Sequence, residues 1–270
     1  MWKEMVRIGG VAGAALVLAA SASAQEVSFK DPTGDDFGPG NYVYPTDPVY
    51  KKGSFDLTGL TVKQVGDQVT FTVTVNSDLE DPWAMPAPAS FSVQMAIIHV
   101  QTGKGGLVKG IPGTNVAFAP EAAWNKVVIL SPQPAGRVRA EVKQKAVDLL
   151  SAVVVPNETR GAGRSISGTV SKKDLGEGDV TKWGFQVLMQ SNEGFPDKAD
   201  VLTRKVNEYE GQHRFGGGND GECDPHVMDV LAGKGVGDPS EIEAQKRMLS
   251  YECGPDGASK KMATLGMVRK

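Results

Sequence analysis

The sequence predicts an all-β protein, an antiparallel β-sandwich with a short C-terminal helical appendage. Short apolar runs recur along the chain, and several alternate apolar with polar side chains, the period of a strand with one buried face. Two such runs meet at Gly66-Asp67, a dipeptide typical of a β-hairpin turn. The 33 glycines and 16 prolines among 270 residues supply turns between many short strands.

The chain opens with the features of an export signal. Lys3 and Arg7 form a basic start, residues 8–20 are apolar, and residues 22–24 (Ala-Ser-Ala) form a small-residue cleavage site. The apolar stretch is too short to span a membrane, and no later stretch reaches the required length. We therefore expect a signal peptide over residues 1–24 and a mature protein that is periplasmic, secreted or on the cell surface.

An acidic loop follows the signal. Residues 31–47 are too rich in glycine and proline to form a helix or a central strand. The loop concentrates four carboxylates that repel one another unless a cation neutralises them: Asp31, Asp35, Asp36 and Asp47. Calcium, which binds about six to eight oxygens, is the expected cation, so a second segment must contribute ligands. Asn219 and Asp220 are candidates, and the alternative is a solvated loop with Asx turns.

The central part of the chain is predicted to form strands separated by turns. The run 91–100 is apolar on both faces and is expected in the middle of a sheet. Residues 79–89 form a proline-rich loop that carries Trp83, and residues 174–179 form a turn or a short helical excursion. The predicted strands cover residues 55–65, 68–75, 91–100, 127–130, 137–142, 147–155, 165–170 and 183–190.

The C-terminal segment has a different pattern. Asp238 followed by Pro239 marks a helix start, and we expect a helix over residues 239–252 with a frayed end beyond Pro255. The sandwich domain is placed at residues 25–235 and the appendage at residues 236–270. In an exported chain, the single pair Cys223 and Cys253 indicates a disulfide that pins the helix to the sandwich.

Two glycine-rich parts of the chain carry a family resemblance. Residues 31–46 with 53–60, and residues 213–221 with 225–231, resemble the C-terminal module of glucodextranase, which is similar to DOMON-like sandwich domains. The resemblance covers nearly all of the mature chain up to about Leu231. It implies a DOMON-like or jelly-roll-like sandwich that serves as an accessory part of an enzyme or stands alone without an assigned activity.

Aromatic side chains in or beside loops are candidates for carbohydrate binding, because sugar rings stack on aromatic faces. The candidates are Tyr42 and Tyr44 beside the acidic loop, Trp83, and Trp124 beside Asn125. Burial in the sandwich core is the alternative for each tryptophan.

The sequence lacks the signatures of several functional classes. Neither Gly-x-Ser-x-Gly nor His-Glu-x-x-His occurs, so we expect no enzyme. A glycosidase pair of carboxylates stays open as an alternative, since Asp and Glu are abundant, but nothing in the sequence marks two of them. The net charge of −3 without a basic stripe argues against nucleic acid as a partner.

Some DOMON-like relatives bind haem through Met with His or Lys. Met95 and His99 stand about 13 Å apart on one strand, too far to share an iron, while Met95 with His213 stays open.

We expect an exported, non-catalytic binding module for carbohydrate or a cell-surface polymer, with structural calcium. One alternative is a structural or assembly protein of the cell envelope, whose sheet edges contact a partner protein. Another is a haem-binding electron-transfer protein of the DOMON type.

Overall fold

The structure is a computed structural model that describes residues 1–2 and 24–270. The predicted signal peptide lies almost wholly outside the described residues. Within the described part, no helix is both long and apolar enough to cross a lipid bilayer.

The described chain is built mainly from short strands. The strands are β1 (Gln25–Lys30), β2 (Leu57–Val65), β3 (Gln68–Val75), β4 (Gln94–Gln101), β5 (Val116–Phe118), β6 (Lys126–Leu130), β7 (Val153–Val154), β8 (Thr159–Ala162), β9 (Ser165–Ser171), β10 (Gly184–Ser191), β11 (Asp229–Val230), β12 (Glu252–Cys253), β13 (Ser259–Lys261) and β14 (Ala263–Leu265). The helices are α1 (Ala135–Lys145), α2 (Lys172–Leu175) and α3 (Ser240–Met248), with single 3₁₀ turns at Pro120–Ala122, Val147–Leu149 and Val180–Lys182.

Two five-stranded sheets form the sandwich. The first has the order β1-β2-β3-β9-β8 and is antiparallel throughout. The second has the order β11-β10-β4-β6-β7, and only its edge pair β6–β7 is parallel. Alternate side chains of both sheets meet in the main core, where Phe71 of β3 and Phe185 of β10 contact each other with ring centroids 6.5 Å apart. The prediction of an antiparallel β-sandwich is confirmed.

The strongest sequence patterns predicted their elements well. The strand over residues 68–75 is β3, with Val69, Phe71, Val73 and Val75 buried. The run 91–100 contains β4, which lies between two strands and is buried on both faces. Asp238 accepts the Ser240 backbone N–H at 2.9 Å just before α3, but the helix begins at Ser240, with Pro239 rather than Asp238 at the N-cap position, and it ends at Met248.

Two predicted strands are wrong. Residues 137–142 belong to α1, in which Val138 and Val142 are buried and Ala140 is exposed. A spacing of four residues fits both a strand face and a helix face, so the alternation could not distinguish them. Residues 147–155 form a 3₁₀ turn followed by the two-residue strand β7.

Two segments, residues 25–30 and the stretch beyond Pro255, form strands that the sequence did not predict. Strand β1 was not predicted, and it pairs with β2 over six residues. The expected fraying beyond Pro255 is wrong, because β14 pairs with β5 in parallel and Ala263 and Leu265 are buried. The appendage of residues 236–270 therefore packs into the second core cluster, which covers the outer face of the second sheet.

The predicted disulfide is confirmed. Cys223 and Cys253 are bonded and link the glycine-rich segment after Phe215 to strand β12, which follows α3. The linkage holds α3 close to the sandwich, where Gln245 of this helix is buried and donates to the backbone oxygen of Asp35.

Candidate functional site

A cluster of three buried carboxylates lies at one end of the sandwich. Asp31 directly follows β1, Asp35 lies in the acidic loop, and Asp229 lies in β11. Each offers an oxygen atom, and these oxygens all lie within 4.8 Å of one another. Because the three side chains are 5%, 5% and 0% exposed, water does not separate their charges.

The carboxylate oxygens of this cluster are poorly satisfied by the protein. Asp31 Oδ1 accepts the Ala232 N–H at 3.3 Å, and Asp229 Oδ2 accepts the Leu57 N–H at 2.7 Å. Four oxygens have no hydrogen-bond partner among the described residues: Asp31 Oδ2, both oxygens of Asp35, and Asp229 Oδ1. Buried polar atoms are normally paired, so this set of oxygens is a candidate ligand sphere for a cation.

The pKa values of the three carboxyls also favour a cation site. Burial, reinforced by the neighbouring carboxylates, raises the pKa of Asp31 to about 9 and the pKa of Asp35 to about 7. Burial also raises the pKa of Asp229 well above its ordinary value, with Asp31 as the next contributor. Without a cation, this arrangement favours protonated carboxyls, and a divalent cation would take the place of those protons.

Surrounding side chains hold the cluster in place. Asp56 accepts the Gly34 N–H at 2.9 Å and the Asn76 amide at 3.0 Å, while its Oδ1 has no partner among the described residues. Asp56 also raises the pKa of Asp35. Gln245 of α3 accepts the Val230 N–H at 2.8 Å and donates to the Asp35 carbonyl. The loop, β11 and α3 thus converge on one set of oxygens.

The structure divides the six predicted metal ligands into two groups. Asp31 and Asp35 lie in the cluster, and Asp36 lies beside it with its carboxylate accepting the Tyr44 hydroxyl. The other three are not brought to it and accept hydrogen bonds elsewhere. Asp47 accepts from Val49 and Gln212, Asn219 from Gly221, and Asp220 from Glu208.

Sequence reasoning missed Asp229. The residue stands inside the apolar run Val227-Met-Asp-Val-Leu231, where a charged side chain is unusual for a buried strand. This charged residue within an apolar run could have identified Asp229 as unusual. Only the tertiary fold, however, places Asp229 beside a loop about 200 residues earlier in the chain.

Two of the four predicted binding aromatics are structural. Trp124 is fully buried and donates from Nε1 to the Lys109 carbonyl at 3.1 Å. Tyr42 is 3% exposed and donates its hydroxyl to the Pro225 carbonyl. Neither presents a ring face to a ligand, which corrects the expectation for both.

Tyr44 is half-buried and takes part in packing. Its ring packs against those of Phe55 and Phe215, with centroids 5.8 Å and 4.9 Å away. Its hydroxyl is occupied by Asp36. Tyr44 therefore links the third core cluster to the acidic loop.

Trp83 is the predicted binding aromatic with an accessible ring, since 37% of its surface is exposed. Its edge contacts are with Tyr50 and His213, at centroid distances of 6.4 Å and 6.1 Å. Its loop is braced because the Trp83 N–H donates to Ser92 Oγ at 3.2 Å and Asp81 accepts the Met85 N–H at 2.9 Å. We call Trp83, Tyr50 and His213 the aromatic rim.

Charged groups lie beneath the aromatic rim. Arg214, the residue after His213, pairs with the buried carboxylate of Glu193, which also contacts Arg204 at 3.2 Å. Both arginines lower the pKa of Tyr50, although burial has the larger effect and raises it. The rim thus combines an exposed indole with hydrogen-bonding groups on a fixed frame.

His99 is a core residue and does not lie with His213 in the aromatic rim. His99 is fully buried between the rings of Phe118 and Trp124, 4.6 Å and 4.9 Å away, and burial lowers its pKa to about 3.

Met95 lies in the second core cluster, whereas His213 belongs to the aromatic rim. Because the two side chains lie in different clusters, the haem alternative gains no support from them.

Comparison with known proteins gives one finding. A family model described as the SLH-like C-terminal binding module of glucodextranase matches residues 27–268, nearly the whole described chain. No curated protein matches the sequence. The matched range contains the carboxylate cluster and the aromatic rim.

Proposed function

The chain belongs to the family of SLH-like C-terminal binding modules of glucodextranase, and from this premise we propose that it is an exported, non-catalytic module that binds carbohydrate or a cell-surface polymer. The observation that carries the proposal is Trp83, an indole that the fold holds at the surface with 37% of its area exposed. Binding groups on loops of a rigid sandwich are a common arrangement for recognition.

The aromatic rim has the chemistry that a sugar requires. The indole of Trp83 offers an apolar face to the C–H groups of a pyranose ring, and His213 and Arg214 beside it offer hydrogen-bond donors to hydroxyls. An open rim of this kind gives modest affinity, of the order of micromolar to millimolar, or about −4 to −8 kcal/mol.

We further propose that a structural calcium ion binds Asp31, Asp35 and Asp229. The support is their mutual approach within 4.8 Å and their four unpartnered oxygens among the described residues. Bound calcium would offset two of the three negative charges of these buried carboxylates and tie the acidic loop to β11. Asp56, whose Oδ1 has no partner among the described residues, would be a further ligand in a coordination sphere of about six to eight oxygens.

The polymer proposal is tested by retention of purified protein on neutral α- and β-glucans in affinity electrophoresis. Trp83→Ala should weaken retention about tenfold or more while leaving the melting temperature within about 2 °C of wild type. Leu150→Ala is the matched control, because Leu150 is a large apolar side chain of similar exposure, 44%, outside the aromatic rim. Reducing ends released from the same glucans are measured in parallel.

Two results would contradict this proposal. Release of reducing ends that persists after contaminating enzymes are removed would show catalysis. Absence of retention on every glycan, with Trp83→Ala indistinguishable from wild type, would favour the envelope-assembly alternative.

A further inference from the structure

A second candidate site lies on the surface, where strand β4 ends. A cavity of about 390 Å³ is lined there by the loop that follows Gln101, by the 3₁₀ turns at Pro120–Ala122 and Val180–Lys182, and by Arg269. Its volume falls in the range of small-molecule binding sites. None of its lining residues belongs to the aromatic rim or the carboxylate cluster.

The cavity concentrates positive charge. Lys104, Lys182 and Arg269 reach it from three separate segments, against one carboxylate, Glu121. In the part of the chain that the structure describes, none of these cations lies within 4.0 Å of a carboxylate. Unpaired cations on a protein of net charge −3 make this cavity a local site for an anion.

Arg269 is held in a defined position. The preceding residue, Val268, exchanges backbone hydrogen bonds with Phe185 at 2.8 Å and 2.9 Å. The guanidinium donates to Gln101 Oε1, and Gln101 in turn donates to the Glu121 carbonyl at 3.1 Å. This contact leaves other guanidinium N–H groups free for a ligand.

Gly184 makes room for this arginine. A Cβ atom at Gly184 would lie 2.9 Å from the guanidinium carbon of Arg269, closer than side chains normally approach. The guanidinium therefore rests directly on the first residue of β10. A planar, positioned arginine is suited to carboxylate, sulfate or phosphate oxygens.

We propose that this cavity binds an anionic substituent of the polymer, with Arg269 as the oriented contact and Lys104 and Lys182 as flanking charges. This inference rests on the proposed function, because it names the chemical class of polymer that the module selects. The shared chemistry is an oxyanion, and its source is a carboxylated, sulfated or phosphorylated sugar.

The test uses four polymers with one backbone: neutral dextran, carboxymethyl dextran, dextran sulfate and phosphorylated dextran. Affinity electrophoresis of the full mature chain gives a dissociation constant for each. At least one charged dextran should bind at least tenfold more tightly than neutral dextran. Arg269→Gln and Lys182→Gln should each weaken that binding about fivefold or more and leave binding of neutral dextran unchanged.

The matched control is Lys143→Gln, an exposed lysine of α1 that does not line the cavity. Lys182 pairs with no carboxylate within 4.0 Å among the described residues, so its variant keeps the test valid if Arg269→Gln is unstable. Equal binding of all charged dextrans by the Lys182→Gln and Lys143→Gln variants would overturn the inference. So would a wild-type protein that binds charged and neutral dextran equally.

Binding of neutral glucans distinguishes a failure of the oxyanion site from a failure of the polymer-binding proposal. If neutral glucans are retained through Trp83 but charge gives no advantage, the cavity is not an oxyanion site and the polymer-binding proposal stands. If the charged dextrans and all the neutral glycans fail to bind, both proposals are wrong.

Discussion

Replacing Asp229 by asparagine tests the calcium proposal at the residue that joins β11 to the acidic loop. The substitution keeps the size of the side chain and an oxygen that can accept the Leu57 N–H, but it removes one of three charges that face one another. In wild type, Asp229 Oδ1 has no partner among the described residues, and this oxygen is the one available to a cation.

The expected size of the effect follows from ligand binding to the folded state alone. At a free calcium concentration one hundred times the dissociation constant, the folded state gains about 2.7 kcal/mol. For a chain of this length that gain raises the melting temperature by roughly 5–11 °C. The Asp229→Asn variant should lose most of this increment, because a buried carboxylate ligand is missing.

The assay is differential scanning calorimetry of four samples, wild type and variant, each in EDTA and in excess calcium. In EDTA the variant should melt at or above the wild-type temperature, because a buried carboxyl that folding must either protonate or leave charged is replaced by a neutral amide. Asp47→Asn is the control, since Asp47 also lies in the acidic segment but outside the cluster. A wild-type melting temperature that EDTA does not change, or a full calcium increment in Asp229→Asn, would refute the reasoning.

Two further predictions concern stability. Replacing Cys223 and Cys253 together by serine should lower the free energy of unfolding by about 3–4 kcal/mol, because the bond closes a loop with a sequence separation of 30, and urea titration measures this loss. His99, whose pKa is lowered to about 3 by burial, should contribute a loss of stability in mild acid, opposite in sign to the contribution of the buried carboxyls. The unfolded chain takes up the proton first near pH 6.5, so stability present above that pH is lost as pH falls, by about 2 kcal/mol between pH 7 and pH 5. His99→Leu should flatten this part of the pH profile, and an unchanged slope would contradict the assignment.

Local pattern was enough to predict the strands that form the centre of the sandwich. In β3 and β10 successive side chains point to opposite faces of the sheet. Residues of one face therefore recur every two positions along the sequence, and the sequence shows this pattern directly. The glycines and prolines of the acidic segment likewise act through their own backbone, so the loop and its carboxylates could be recognised without any tertiary contact. The failure over residues 137–142 has the same origin, because Val138 and Val142 satisfy both periods and only their packing distinguishes a helix from a strand.

The composition of each site was decided by the tertiary structure. Asp229 joins Asp31 and Asp35 because β11 pairs with β10 at the edge of the second sheet, next to the end of β1. Trp83 and Trp124 are alike in sequence terms, yet the fold buries one completely and leaves part of the other in solvent. Arg269 reaches its cavity through the pairing of Val268 with Phe185. These outcomes depend on contacts between residues far apart in the chain, and such contacts leave no periodic trace in the residues that make them.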